Sequence, residues 1–255
     1  MRPAAGACLV LLFTLAGAAD AQRPKLGIGV GGGVVLGTKL MDFTFPTQMD
    51  EQEVQLAQQV DMADVAIASI HAEWYAGAHF AVRAHAAWGA GRTEAFTSCA
   101  ESPEFCDGTQ VERSRFETGY GAVAVTALDA GVSIWPWTPR SVGFAPFVTV
   151  GAGAFRYDFR AEGGEDRFFR PAGPRTQRAL LVGLGADMHI WRSLMLRLEG
   201  VNHMVDRPLG ATDFRSFGEP RASTAGDLGA RMSNVRLALS AHVYFPFGES
   251  WTVPD

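Results

Sequence analysis

Beyond its N-terminus, the chain has no apolar run of the about 18 residues that a membrane-spanning helix needs. It also has no excess of basic residues. Lys and Arg total 22 against 27 Asp and Glu, for a net charge of -5, which argues against a nucleic-acid-binding face. Charged residues are scarce at 19%, while hydrophobic residues reach 47%. This composition excludes a disordered chain and leaves a folded protein with little charged surface.

The N-terminus predicts an export signal. Arg2 supplies a positive charge, residues 4–17 form a short apolar stretch, and Ala19-Asp20-Ala21 is a small-residue cleavage site. We therefore expect a signal peptide at 1–21 and a single domain at 22–255. An uncleaved membrane anchor is the alternative, which the short apolar stretch disfavours.

Cysteine is rare, with three residues in the whole chain. Cys8 leaves with the signal, so an exported chain retains Cys99 and Cys106 in a polar stretch. In an oxidising compartment this spacing predicts one short disulfide loop. A metal-binding pair is the alternative, although no His lies nearby.

The rest of the chain has the period-two hydrophobic alternation that predicts β-strands, with little helical periodicity. Most of the predicted segments reach the about 9–11 residues of a tilted membrane strand. The eight segments are 25–36, 63–75, 79–92, 116–135, 141–160, 177–191, 194–204 and 234–247.

Short and long connections alternate along these segments. The short ones lie near Gly77, Thr138 and Ser193, and the long polar ones are 37–62, 93–115, 161–176 and 206–233. One or two helical turns are possible at 50–59 within the first long connection. This alternation predicts an up-and-down meander with all short turns at one end, as in a transmembrane barrel with periplasmic turns and extracellular loops.

Each segment has one apolar face and one face of Gly, His and charged residues. Only two lysines occur, Lys25 and Lys39, whereas a soluble barrel would carry many charges on its outer face. We therefore predict that the apolar face points outward to lipid and the polar face into the lumen. Four tryptophans beside the short turns predict an aromatic girdle at one membrane boundary: Trp74, Trp135, Trp137 and Trp191. A soluble periplasmic β-barrel with the opposite orientation is the alternative.

Three stretches carry a family resemblance: PFVTVGAG at 146–153, LRLE at 196–199 and VRLALSAHVYFPF at 235–247. With them the chain resembles the small eight-stranded outer-membrane β-barrels related to the membrane domain of outer-membrane protein A. The resemblance implies an all-β, eight-stranded antiparallel up-and-down barrel in the bacterial outer membrane. It implies outer-membrane lipid, lipopolysaccharide and the barrel-assembly machinery as partners. The chain departs from the family pattern in continuing to Asp255 after its aromatic-ended last strand.

The lumen of an eight-stranded barrel is nearly filled by side chains. Cross-strand pairing predicts the ion pairs Glu73–Arg83 and Asp187–Arg197, because a charge without a partner is costly away from water. The predicted lumenal network is His71, Glu73, Arg83, His85, Glu117, Asp129, Asp187, His189, Arg197 and Glu199. A structural plug of ion pairs is favoured over a narrow, gated conductance.

No catalytic motif stands out. Ser69, Ser133 and Ser240 share the lumenal face with His residues, but no Gly-x-Ser-x-Gly elbow occurs. The histidines form no close metal-binding pair, and we predict neither a metal nor a cofactor. The long third connection carries Arg160, Arg167, Arg170 and Arg175, which suit lipopolysaccharide phosphates or simply a solvated loop. We predict a structural, adhesive or surface-binding barrel without catalysis. The alternatives are a narrow porin-like channel for small or hydrophobic solutes and, less favoured, a lipid-modifying enzyme.

Overall fold

The structure is a computed structural model. It describes residues 25–49, 52–76, 79–99, 116–137, 143–161, 174–191, 194–209 and 231–245. Side chains are described for these residues except 25, 42–56, 58, 95–99, 116–120, 161 and 191. The predicted signal peptide, the short turns at 77–78, 138–142 and 192–193, and most of the last three long connections lie outside the described residues.

Every regular element in the described ranges is a β-strand, in agreement with the alternating hydrophobic pattern. The strands are β1 (Lys25–Val35), β2 (Thr38–Met49), β3 (Gln52–Met62), β4 (Val65–Tyr75), β5 (Phe80–Cys99), β6 (Phe116–Ile134), β7 (Phe144–Ala161), β8 (Arg175–Trp191), β9 (Leu194–Asp206) and β10 (Arg231–Phe245). No helix in these ranges is long and apolar enough to cross a membrane.

The strands close into an antiparallel barrel. Its wall runs β1, β4, β5, β6, β7, β8, β9 and β10, and β10 pairs with β1 to complete the ring. β2 continues β1 and β3 continues β4 beyond the ring, so the barrel has eight strands. The predicted eight-stranded fold is confirmed.

The barrel is staggered by ten residues. A row of paired residues that starts at Tyr75 on β4 returns to the same strand at Val65, and 75 − 65 = 10. The row passes through Ala81, Ser133, Thr149, Gly183, Val201, Arg236 and Val35. A closed barrel with such a stagger has strands tilted by roughly 35–45° to its axis.

The two faces of the wall differ as predicted. Leu184 on the outer face is 71% exposed and Ile70 is 49% exposed, whereas Glu73 is 1% exposed and Arg197 is fully buried. Large apolar side chains therefore cover the outside, and ionisable ones fill the inside. This inverted arrangement is the one that hydrocarbon outside a closed barrel requires.

The first long connection is not a loop. β2 and β3 form a β-hairpin that extends the first hairpin of the barrel, and β3 also pairs with the end of β5. The expected helical turn at 50–59 is wrong, since Gln52–Met62 is a strand. The backbone N–H and C=O groups of β3 bond to β2 and β5. A local sequence pattern does not identify these partners.

The orientation of the wall predicts the effect of placing a charge on its outer face. In lipid vesicles, Leu184→Arg is expected to lower the free energy of unfolding by about 2–4 kcal/mol, because the guanidinium group would face hydrocarbon. Urea unfolding of the refolded protein, followed by tryptophan fluorescence, measures this change.

Leu26→Arg is the matched control, since Leu26 is also an outward leucine but lies at the end of β1. Near the membrane boundary the same substitution is expected to cost only about 0–1 kcal/mol. Equal effects at the two positions would contradict the assignment of Leu184 to the centre of a lipid-facing wall.

Candidate functional site

The centre of the lumen is a buried layer of paired charges, which we call the ionic layer. Its members come from six strands of the wall, and each is at most 8% exposed. Their inward direction follows from strand alternation, because residues two apart share a face. The ionic layer consists of Glu73, Arg83, Asp129, Asp187, Arg197, Glu199 and Arg236, together with His71, His85, His203 and His242.

Glu199 on β9 joins two arginines from other strands. Both of its oxygens accept hydrogen bonds from the Arg83 guanidinium group, one of them from Nη2 at 3.0 Å. Arg236 Nη2 donates to Glu199 Oε2 at 3.1 Å. Arg83 also donates to Thr149 Oγ1 at 3.1 Å. Charge-assisted, two-point bonds of this kind fix geometry as well as supplying energy.

Arg197 is the second centre of the layer. Its Nε donates to Asp187 Oδ1 at 2.7 Å and its Nη2 to Asp187 Oδ2 at 3.0 Å. A further bond from Nη1 goes to Glu73 on the far side of the barrel. Its guanidinium carbon also lies 4.5 Å from the centre of the Phe147 ring, a cation–π contact.

The two predicted ion pairs have different outcomes. Asp187 and Arg197 are opposite in register on β8 and β9 and form an ion pair. Glu73 and Arg83 are also opposite, on β4 and β5, but the predicted pair between them is replaced by bonds across the lumen. The long side chains reach the far wall because eight strands enclose a narrow space.

Asp129 is held mainly by imidazoles. One oxygen, Oδ2, lies 3.0 Å from His85 Nδ1, 2.9 Å from His203 Nε2 and 3.6 Å from Arg236 Nη1. Arg236 also donates to His85 Nε2. The tautomer of His85 with hydrogen on Nδ1 satisfies both contacts, since Nδ1 then donates to Asp129 and Nε2 accepts from Arg236.

Three imidazole rings pack against one another at tilted angles beside this network. The ring centre of His71 lies 4.5 Å from that of His85 and 5.1 Å from that of His242. Ser240 Oγ lies 2.8 Å from His242 Nε2, and Ser69 Oγ lies 3.2 Å from His71 Nε2. Among the described residues, no group of three or more His, Cys, Asp and Glu is arranged to hold a metal ion.

An aromatic layer closes the turn end of the lumen; it consists of Tyr75, Ala81, Trp135, Ala145, Phe147, Met195 and Tyr244. Trp135 is 1% exposed, and its Nε1 donates to Asp187 Oδ2 at 3.0 Å. The assignment of Trp135 to the membrane girdle is therefore wrong. Strand alternation places Trp135 on the same inward face as Ser133, and its indole N–H donates a hydrogen bond to Asp187 of the ionic layer.

An apolar layer fills the opposite, loop end of the lumen. Phe155 and Tyr157 pack with ring centres 4.9 Å apart, and Phe155 also contacts the His203 ring of the ionic layer. Val123, Val125 and Val205 are almost fully buried beside them. The described lumen is thus filled along its length by aromatic, ionic and apolar layers in turn.

The remaining predicted site residues lie outside these contacts. His189 is half-buried on β8 and pairs in register with Met195. Trp137 is 58% exposed, and Trp74 is half-buried. The side chains of Glu117, Trp191 and Cys99, and all of Cys106, lie outside the description, so the girdle at Trp191 and the disulfide stay predictions.

Three members of the ionic layer, Arg236, His203 and His242, are absent from the predicted network. The signal for all three is alternation, and His242 shares the inward face of β10 with Ser240. Arg236 is four residues before Ser240 on β10, and His203 is four residues after Glu199 on β9, so each shares the inward face of its strand.

Comparisons with known proteins bear on the fold alone. No family model matches the chain, and no curated protein matches its sequence. The outer membrane protein OprG from Pseudomonas aeruginosa matches with a TM-score of 0.54 and 9% identity, over 88% of this chain and 97% of that one. The attachment invasion locus protein Ail of Yersinia pestis has a TM-score of 0.44 and 10% identity, over 88% and 100%. The outer membrane protease OmpT of Escherichia coli has 0.43 and 11%, over 88% and 98%.

The chain has the fold of a bacterial outer-membrane β-barrel. The likeness to OprG and the apolar outer wall agree on this point. At 9% identity the likeness extends to the fold alone.

The ionic layer predicts a large effect from neutralising Glu199. Glu199→Gln keeps the shape of the side chain but leaves Arg83 and Arg236 without their shared carboxylate. The free energy of unfolding in vesicles is expected to fall by about 3–5 kcal/mol. The control Glu94→Gln removes an exposed carboxylate on β5 and is expected to change it by less than about 0.5 kcal/mol. An E199Q barrel as stable as wild type would show that lumenal water can replace this carboxylate.

Trp135 and Trp137 provide a second matched pair. Trp135→Phe removes the N–H that Asp187 accepts, and we expect a loss of about 1–3 kcal/mol in the free energy of unfolding. Trp137→Phe, on an exposed residue two positions later, is expected to cost less than about 0.5 kcal/mol. If Trp137→Phe lowered the free energy of unfolding more than Trp135→Phe does, the assignment of Trp135 to the lumen would be contradicted.

Proposed function

We propose that this protein is a sealed outer-membrane scaffold, with a structural, adhesive or surface-binding role and no catalytic activity. In this proposal residues 1–21 are removed on export, and the barrel-assembly machinery inserts the chain through its alternating last strand. The turn end of the barrel faces the periplasm and the loop end faces outward, as the even number of strands and the position of both described chain ends favour.

The observation that carries this proposal is the filling of the lumen. The aromatic layer, the ionic layer and the apolar layer follow one another along the barrel axis, and their main members are almost fully buried. A conducting pore needs a continuous path for water, and a ring of charges conducts only where water reaches it. The same packed side chains exclude solutes from the lumen at both ends of the barrel.

The burial of the Ser240 hydroxyl group in the lumen supports a role without catalysis. Ser240 and His242 lie within hydrogen-bonding distance, and Glu73 Oε2 is 3.9 Å from His242 Nδ1, which resembles a Ser-His-acid arrangement. Ser240 is only 3% exposed, and His242 is fully buried inside the wall. A substrate has to approach a nucleophile to within about 3–3.5 Å, which the packed lumen prevents.

The β2–β3 hairpin supports a surface-binding role. β2 has 12 residues, which corresponds to about 40 Å of extended chain beyond the end of β1. β3 pairs with β5 from Met62–Thr93 to Leu56–Cys99, so the hairpin is anchored on the wall for part of its length. A β-hairpin that extends a closed barrel offers an additional surface to partners, as loops do on other scaffolds.

Planar-bilayer recording tests the sealed lumen. Refolded wild-type protein is expected to give no discrete conductance steps, while a large porin inserted under the same conditions does. Heat-modifiable mobility on a gel verifies beforehand that the preparation is folded. The same preparation is expected to leave labelled phospholipid and lipid A unhydrolysed.

Discrete openings from the folded wild-type protein would overturn the sealed scaffold in favour of a narrow channel. Hydrolysis of lipid that disappears in Ser240→Ala or His242→Ala would instead establish an enzyme. The absence of a heat-modifiable form in membrane extracts would contradict the membrane location itself.

A further inference from the structure

We infer that three buried imidazoles make the seal of the lumen acid-sensitive, so that the barrel is closed near neutral pH and conducts ions once these groups take up protons. The residues are His71 on β4, His85 on β5 and His242 on β10, and we call them the imidazole cluster. This inference rests on the proposed sealed lumen, to which it adds a dependence on pH.

The imidazole cluster packs three titratable rings together. The ring centre of His71 lies 4.5 Å from that of His85 and 5.1 Å from that of His242. His71 and His85 are directly opposite in the register of β4 and β5. The three side chains are at most 4% exposed, so water does not screen a charge placed on any of them. Two protonated rings at these distances would therefore repel each other strongly.

The bonds of His85 require its neutral form. His85 Nδ1 lies 3.0 Å from Asp129 Oδ2, and His85 Nε2 accepts a hydrogen bond from Arg236. A proton on Nε2 would occupy the lone pair that Arg236 uses and would turn two bonded groups into two facing donors. Uptake of a proton at His85 therefore breaks a contact between β5 and β10 inside the lumen.

The charged groups around the imidazole cluster are already bonded to one another. They are Glu73 from β4, Arg83 from β5, Asp129 from β6, Arg197 and Glu199 from β9, and Arg236 from β10, whereas β1 presents glycine. His203 of β9 also contacts Asp129. The carboxylate contact of His242, from Nδ1 to Glu73 Oε2, is 3.9 Å long. A protonated imidazole would thus have to break an existing pair to gain a close partner.

The charge of the ionic layer limits how many protons it tolerates. Its described members include four carboxylates and three guanidinium groups, so one added proton brings their sum to zero. A second and a third proton on the imidazole cluster leave a net positive charge in buried surroundings, which is costly. Water that enters the lumen lowers this cost by solvating the charges, so protonation favours a hydrated lumen.

Opening exposes the imidazole cluster to water and so couples the seal to pH. An imidazole in water takes up a proton near pH 6.5. Below this pH an open lumen binds more protons than the closed one, and acid shifts the equilibrium toward the open form. Each imidazole that is neutral when closed and protonated when open changes this equilibrium by up to about tenfold per pH unit, and three change it by up to about a thousandfold.

Planar-bilayer recording of the refolded full chain at pH 7.5 and pH 5 tests the inference. Wild-type protein is expected to be silent at pH 7.5, to show discrete openings at pH 5 and to close again on return to pH 7.5. Both values lie above the pH at which ordinary carboxylates take up protons, so imidazoles are the groups that change. Heat-modifiable mobility verifies at each pH that the barrel is folded.

His71→Phe keeps a ring at the centre of the imidazole cluster but removes its proton site. At pH 5 its open probability is expected to be about tenfold lower than that of wild type, because one proton fewer is gained on opening. His71→Gln, which lacks the ring, is expected to show the same decrease and provides a second folded variant. His79→Gln is the matched control, since it removes an exposed imidazole at the turn end, and wild-type openings are expected.

Three outcomes would overturn the inference. A folded wild-type barrel that stays silent at pH 5 would show that acid does not open the lumen. Wild-type openings in both His71 variants would assign acid opening to other groups, and an equal decrease in H79Q would remove the special role of the imidazole cluster. Each of these results leaves the scaffold proposal standing, whereas openings at pH 7.5 would contradict the sealed lumen itself.

Discussion

The structure depends on one constraint, which is that charges enclosed by a narrow barrel must find partners inside it. Arg83, Arg197 and Arg236 are each at most 3% exposed, and an unpaired charge in such surroundings costs several kcal/mol. Four carboxylates face these three guanidinium groups, and Oδ2 of the fourth, Asp129, is bonded by His85 and His203. Some of these bonds, such as Arg83–Glu199 and Arg197–Glu73, join strands that are not neighbours in the wall, so the pairing that neutralises the lumen also connects distant strands of the barrel.

Shape imposes a second condition on the same space. The inward positions of β1 include Gly27 and Gly29, and a Cβ atom at Gly29 would lie 2.7 Å from Cε1 of His242. At Gly27 it would lie 2.9 Å from Cε1 of Tyr244. At these two positions β10 contributes large side chains and β1 contributes none, which lets the rings of His242 and Tyr244 lie against the backbone of β1. The glycines of β1 therefore leave space in the lumen. That space is occupied by His242 of the ionic layer and Tyr244 of the aromatic layer.

Period-two alternation made the fold predictable to a large extent. It predicted the eight wall strands and the outward direction of residues such as Leu184, because lipid outside and a filled lumen inside allow one assignment. It did not predict the β2–β3 hairpin, whose backbone is satisfied by partners that no local pattern identifies. The site was harder to predict. Alternation along each strand predicts that Glu73 and Arg83 point inward. Which partner each of them bonds depends on distances across the lumen, and these are set only when the barrel closes. Trp135 lies beside a turn, which favours a girdle position, but it is two residues from inward Ser133 and therefore points into the lumen.

Arginine residues occur in the lumen and on the outer face of the barrel under opposite conditions. Inside, each guanidinium nitrogen of Arg197 bonds to the carboxylate of Asp187 or Glu73, and the group also lies against the Phe147 ring. Outside, Arg156 and Arg178 are exposed at the edge of the apolar wall, and Asp206 on β9 lies beside Arg178, one position beyond the Ala179–Val205 pair. Exposed charges of opposite sign add little stability, because water competes for both groups. The paired charges of the lumen, and not those of the outer face, therefore fix how the strands are held together.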